Sequence, residues 1–276
     1  MLLQTLISVQ ALNDALEQEN TVILDCRFYL MDHKKGRNEY EKGHVPKAIF
    51  VDVHHELAGK ETELTGRHPL PEQEDFADQL QRWGIDQHSR VIVYDDMGGA
   101  IAARAWWMFS QQGIETYVLD GGIAAWQTPL ATQIERPVAS SYRFNVSFPW
   151  QVTERDVVEN FELGSFQLVD ARASDRFYGE NETLDPIAGH IPGAINRPFS
   201  KNLTEGASFK SKEALASEWH ALLRGSENVV HYCGSGITSC HNVLAMNCAG
   251  IEAKRVYVGS WSQWAKRMLR AAEIEA

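Results

Sequence analysis

Short, β-branched apolar runs recur along the chain, at residues 22–24, 49–51, 91–94 and 117–119, and again at 167–169, 194–196, 229–232 and 256–258. Runs of this length and composition predict strands. Between them lie longer stretches, such as Asp75 to Trp83 and Ala100 to Gln112, where apolar residues return at helical spacing. A further helix is expected from about Ser239 to Ala249, and a last, solvated one from Ser262 to Ala276, where Lys, Arg, Ala and Glu are frequent. Strands alternating with helices predict an α/β fold, each sheet mostly parallel with helices on both faces.

The pattern also repeats. Val22-Ile-Leu-Asp25-Cys-Arg27 is answered by Gln167-Leu-Val-Asp170-Ala-Arg172, and Gly43-His44-Val-Pro46 by Gly189-His190-Ile-Pro192. Val91-Ile-Val-Tyr94-Asp95 is then answered by Val229-Val-His-Tyr232-Cys233, and Leu119-Asp-Gly121 through Trp126 by Val258-Gly259 through Trp264. Asp95 stands 26 residues before Gly121, and Cys233 stands 26 before Gly259. Four matched blocks in one order indicate a duplicated domain. The stretch from Gln127 to Trp150 holds Pro129, Pro137 and Pro149 and no sustained period. It places a linker at 131–150, between a domain at 1–130 and a second at 151–276. A length of 276 residues agrees with two domains.

Composition narrows the function. With 44% hydrophobic and 23% charged residues, the chain is able to bury a core. Its formal net charge of −11 argues against nucleic acid and anionic membrane surfaces as partners, so an anionic substrate must meet local positive charge. No apolar stretch approaches the ~18 residues of a membrane span, and Met1 to Leu16 lacks the pattern of a signal peptide. Four cysteines, Cys26, Cys233, Cys240 and Cys248, are too few for a disulfide scaffold, so reduced thiols and a cytoplasmic location are expected. The sequons at Asn145, Asn181 and Asn202 then carry no glycan.

Where the two halves differ, chemistry is expected in one of them. Asp95 faces Cys233, which closes a strand at the sheet edge where open α/β folds bind ligands. The next residues, Gly234-Ser235-Gly236-Ile237-Thr238, let the backbone wrap round the sulfur and aim N–H groups at it. Such a cradle lowers a thiol pKa without a histidine partner. Cys26, Cys240 and Cys248 lack a similar loop and are expected to pack as small apolar residues. The spacing of Cys233, Cys240, His241 and Cys248 misses the short Cys pairs of metal sites, so no metal is expected. His44 and His190 recur in both halves and are expected to be structural, as is the ion pair of each Asp-x-Arg block.

These blocks, with Cys233-Gly-Ser-Gly-Ile-Thr238, resemble the two-domain rhodanese-type sulfurtransferases, and among them the 3-mercaptopyruvate sulfurtransferases. The resemblance implies two tandem rhodanese-like domains, the first inactive. It implies that Cys233 carries a sulfane sulfur as a persulfide, between a small anionic donor and a thiol, thioredoxin-like or cyanide acceptor, without a cofactor. Neutral Gly234 and Ser235 after the cysteine resemble the mercaptopyruvate loop more than the basic loop of thiosulfate enzymes. Ser235 and His68 match two members of a proton relay, whose third position falls at His54, with Asp52 two residues before. Arg176 matches the arginine that binds the donor carboxylate. A second such arginine would fall in Thr183-Leu184-Asp185, which has none. Thiosulfate transfer and a persulfide carrier without turnover are the alternatives. Phosphatases of the Cdc25 type share the fold but need Cys-x5-Arg, and Ser239 stands at that position.

Overall fold

The computed structural model describes Leu3 and residues 5–275, so Met1, Leu2, Gln4 and Ala276 lie outside the described residues. Two compact units emerge from the packing. The first comprises residues 1–59, 71–149 and 203–209, and the second comprises 60–70, 150–202 and 210–276. The segment 60–70 therefore packs with the carboxy-terminal unit, and 203–209 with the amino-terminal one.

In the first unit the strands are β1 (Leu6–Ile7), β2 (Thr21–Asp25), β3 (Ala48–Phe50), β4 (Arg90–Tyr94) and β5 (Glu115–Leu119), in the order β1-β5-β4-β2-β3. In the second they are β6 (Gln151–Val152), β7 (Gln167–Asp170), β8 (Ile195–Asn196), β9 (Val229–Tyr232) and β10 (Val256–Tyr257), in the order β6-β10-β9-β7-β8. The two orders are the same, and every pairing between these strands is parallel. The eight expected strands are present. Strands β1 and β6 were not foreseen, because two residues are too few to show a period.

Central strands read as continuous apolar runs because both faces are covered, and β9 is buried at all four positions. The helix foreseen at 75–83 spans Gln73–Arg82, with Glu74 and Asp75 in its first turn and Arg82 in its last, as the helix dipole favours. The helix foreseen from Ala100 begins at Ala102, because the Asp95 carboxylate holds the preceding turn. The last helix starts two residues earlier than expected, at Ser260, and is not simply solvated. Trp261, Trp264 and Ala265 enter the second core beside Val152, Leu168, Val230 and Tyr257. The first core gathers Ile7, Leu12, Ile23, Ile92, Tyr94 and Leu119. Residues 127–149 form no long element and pack on the first unit, where Ala131 bridges His44 and the Ser140 N–H donates to Gln81 O at 2.9 Å.

Candidate active site

Cys233 sits at the carboxyl end of β9, one residue past Tyr232, and is 1% exposed. The chain turns through Gly234 to Thr238 before the helix Ser239–Cys248. The turn needs glycine at 236: its φ is +84°, and a side chain there would collide with the Val258 carbonyl oxygen. The Gly236 N–H then donates to Cys233 Sγ at 3.1 Å. Burial pushes the Cys233 thiol up, but the Thr238 hydroxyl and the Ser235 and Ser239 N–H groups around it outweigh that. The net shift is below the ordinary value of 9.0. Ile237 is buried, and Thr238 occupies the helix cap position.

The start of the last helix braces this loop from beneath. Cys233 N–H donates to Ser260 Oγ at 3.1 Å, Trp261 N–H to Cys233 O at 2.9 Å, and Ser262 N–H to Gly234 O at 2.9 Å. Ser260 holds a left-handed φ of +55°, a strained conformation for a residue with a side chain, and its Oγ lies 4.0 Å from Cys233 Sγ. The sequence reading missed Ser260, although its place in the last repeated block was a signal. Its counterpart in the first half is Gly122, at φ +58°, where a side chain would collide with the Asp95 carbonyl oxygen.

His68 reaches the loop from the segment 60–70. Its Nδ1 lies 2.9 Å from Ser235 Oγ, with the ring 1% exposed. The segment is tied to the last helix: Gln263 Nε2 donates to Leu64 O at 2.7 Å, Lys266 Nζ pairs with Glu61 at 2.7 Å, and Arg67 N–H donates to Ser262 Oγ at 3.1 Å. His54 belongs to the first unit, its ring 4.6 Å from that of His33, and Asp52 caps the short helix that carries it.

Arg176 lies on the short helix Ser174–Phe177. Its Nη2 contacts Glu182 at 2.8 Å and Asp185 at 3.3 Å, while Nη1 comes within 3.5 Å of the place where a Gly234 side chain would begin. Burial pushes Glu182 up, but the Arg176 hydrogen bonds outweigh it and hold the carboxyl below its usual range. Asp185 also pairs with Arg67, an arginine the sequence reading passed over because it lies 118 residues away. Arg172 behaves as expected: Nη2 pairs with Asp170 at 2.7 Å and also donates to Gly189 O at 2.7 Å. Arg27 does the same in the first half, with Asp25 at 2.6 Å and Gly43 O at 2.8 Å. The two histidines match as well. His44 stacks on Tyr40 at 3.9 Å with Nδ1 2.8 Å from its carbonyl, and His190 stacks on Phe177 at 3.8 Å with Nδ1 2.9 Å from its carbonyl.

The first unit keeps the loop but fills it differently. The buried Asp95 carboxylate accepts backbone hydrogen bonds from Met97 (2.8 Å), Gly99 (2.8 Å), Ile101 (2.7 Å) and Ala102 (2.8 Å). A carboxyl group thus sits at the strand end where β9 presents a sulfur. Burial raises the Asp95 pKa, and the four N–H groups oppose that rise.

The Rhodanese-like domain model matches residues 8–129 and again 153–267. The chain belongs to the rhodanese family and carries two of its domains in tandem. It is 41% identical over 270 residues to a Pseudomonas aeruginosa protein named a probable 3-mercaptopyruvate sulfurtransferase, covering 94% of both chains. It is 34% identical to the rat thiosulfate sulfurtransferase over 255 residues, 89% of this chain and 85% of that one. Among solved structures, the 3-mercaptopyruvate sulfurtransferase of Leishmania major superposes with a TM-score of 0.84 at 28% identity, over 98% of this chain and 76% of that one.

Proposed function

We propose that this sulfurtransferase takes a sulfur atom from 3-mercaptopyruvate onto Cys233 and passes it, as a persulfide, to a thiol or cyanide. The observation that carries the reading is a buried thiol that accepts the Gly236 N–H at 3.1 Å and is held below its usual pKa by the Thr238 hydroxyl and the Ser235 and Ser239 N–H groups, with the Arg176 guanidinium packed near Gly234, the next residue. The Cys233 thiolate attacks the donor sulfur and forms an S–S bond. The donor C–S bond breaks, and its electron pair goes to carbon as the enolate of pyruvate. The proton of the donor thiol moves through Ser235 and His68 to that enolate carbon, which releases pyruvate and leaves the persulfide anion. The cradle of Gly234, Gly236, Ile237 and Thr238 holds the negative charge through both steps. An acceptor thiolate or cyanide then attacks the outer sulfur, and the electron pair of the S–S bond returns to Cys233 Sγ. No electrons are gained or lost overall, so no cofactor is needed, and the two half-reactions predict ping-pong kinetics.

Thiosulfate is the second donor to weigh, because a relative named for it is 34% identical. The uncharged Gly234 and Ser235 favour the singly charged carboxylate over a dianion. A nucleophilic thiol fits a reducing compartment, the cytoplasm, and no described helix is long and apolar enough to cross a membrane.

Intact-protein mass decides the matter. Incubated with 3-mercaptopyruvate and no acceptor, the protein gains one sulfur and Cys233→Ser gains none. A faster gain from thiosulfate would reverse the choice of donor. No gain from either donor overturns the reading in favour of a carrier loaded by a partner protein.

A further inference from the structure

We infer that Arg67 is a second guanidinium that grips the donor carboxylate, together with Arg176 at the Gly234 turn of the loop; this rests on the sulfur-transfer reading above. Three observations converge. First, Arg67 Nη2 comes within 3.2 Å of the place where a Gly234 side chain would begin, and Arg176 Nη1 and Nη2 come within 3.5 and 3.6 Å of the same point. Two forks thus pack against one backbone position, which admits them because residue 234 has no side chain and which lies one residue from Cys233. Second, Arg67 Nε is buried and has no hydrogen-bond partner among the described residues, which leaves a donor to satisfy. Third, the carboxylate of Asp185, 2% exposed, contacts Arg67 Nη1 and Arg176 Nη2 together and so fixes the two guanidinium groups relative to each other. The Arg67 backbone is anchored as well, through Ser262, whose own N–H holds the Gly234 carbonyl.

Within this cluster, Arg67, Arg172 and Arg176 are balanced by Asp170, Glu182 and Asp185. The cluster is thus neutral before the donor arrives, and the N–H groups not committed to these carboxylates, Arg67 Nε among them, are the ones left to hold one added anion. A planar carboxylate suits two forks. The ligand class is a short 2-oxo acid, whose terminal carbon carries the sulfur close to Cys233 when the carboxylate lies against Gly234. Arg67 takes over a task for which residues 183–185 provide no arginine.

The test compares wild type, Arg67→Gln and Arg67→Lys by steady-state kinetics and by competitive inhibition with pyruvate. Arg67→Gln is expected to raise the KM for 3-mercaptopyruvate and the inhibition constant for pyruvate by about tenfold or more. The KM for cyanide stays within about twofold, because only the donor carries the carboxylate. Arg67→Lys, which keeps the charge beside Asp185 but loses the fork, is expected to fall between. If Arg67→Gln does not fold, Arg67→Lys decides, and wild-type pyruvate inhibition in it overturns the inference. An unchanged donor KM in Arg67→Gln also overturns it, as does an equal rise for donor and cyanide, which would mean that Arg67 only supports the loop. Failure of the wild type to gain sulfur is a separate result, which removes the underlying reading whatever the variants do.

Discussion

At the scale of single residues, the proposed reaction turns on how one buried thiol is kept ionisable. Burial alone would raise the Cys233 pKa, as it does for Cys26, whose buried thiol near Asp25 lies well above the usual value. Cys233 goes the other way because hydroxyl and N–H donors surround its sulfur. A group with a depressed pKa stays charged to lower pH, so the rate of sulfur loading rises with pH and levels off below the ordinary thiol value of 9.0. The thiolate ultraviolet absorbance of wild type minus that of Cys233→Ser gives this midpoint directly, and a value of 9.0 or higher would refute the account. The candidate cysteine and its glycines were legible in the sequence because they are contiguous. Ser260 was marked only by its place in the last repeated block, and Arg67 by nothing local, because its part depends on fold contacts.

At the scale of elements, a strand end, a glycine turn and two helix starts build the cradle. Strand β9 delivers Cys233, the helix Ser239–Cys248 offers its first turn, and the helix from Ser260 props the loop through Ser260, Trp261 and Ser262. Gly236 is where loop and β10 edge meet most closely. Gly236→Ala combines a left-handed backbone with a collision against a carbonyl that cannot swing away, so it is expected to cost about 2 kcal/mol or more. Thermal unfolding measures that loss, and thiol titration of the same variant should show the Cys233 pKa returning upward. An unchanged melt and titration would mean that the loop does not need this turn. The helix that begins at Ser260 also shows how far the sequence reading reached. Its charge-rich end looked solvated, yet Trp261 and Trp264 anchor its first turns in the core, a partition that only the packing of β6, β7 and β9 decides.

At the scale of the whole molecule, duplication yielded two sheets of one topology and a cysteine in only one of the two loops. Asp95 fills the first loop with its carboxyl group, and the surroundings have diverged with it. Counting from each Asp-x-Arg block, Met31 stands where Arg176 does, and counting from Asp95, Met97 stands where Ser235 does. Asp95→Cys is therefore expected to gain no second sulfur from 3-mercaptopyruvate, and Asp95→Cys combined with Cys233→Ser to gain none, as intact mass would show. A second sulfur would mean that a cysteine in the cradle is sufficient by itself. The sequence by itself determined the duplication, the parallel α/β pattern, the positions of eight strands and the candidate cysteine with its glycine loop, because each is written in local periodicity or in contiguous residues. Only the tertiary structure decided that segment 60–70 packs with the carboxy-terminal unit, that His68 meets Ser235 over 167 residues of chain, and that Asp185 joins Arg67 to Arg176. Those contacts arise from burial and charge pairing between distant segments, and no period along the chain encodes them.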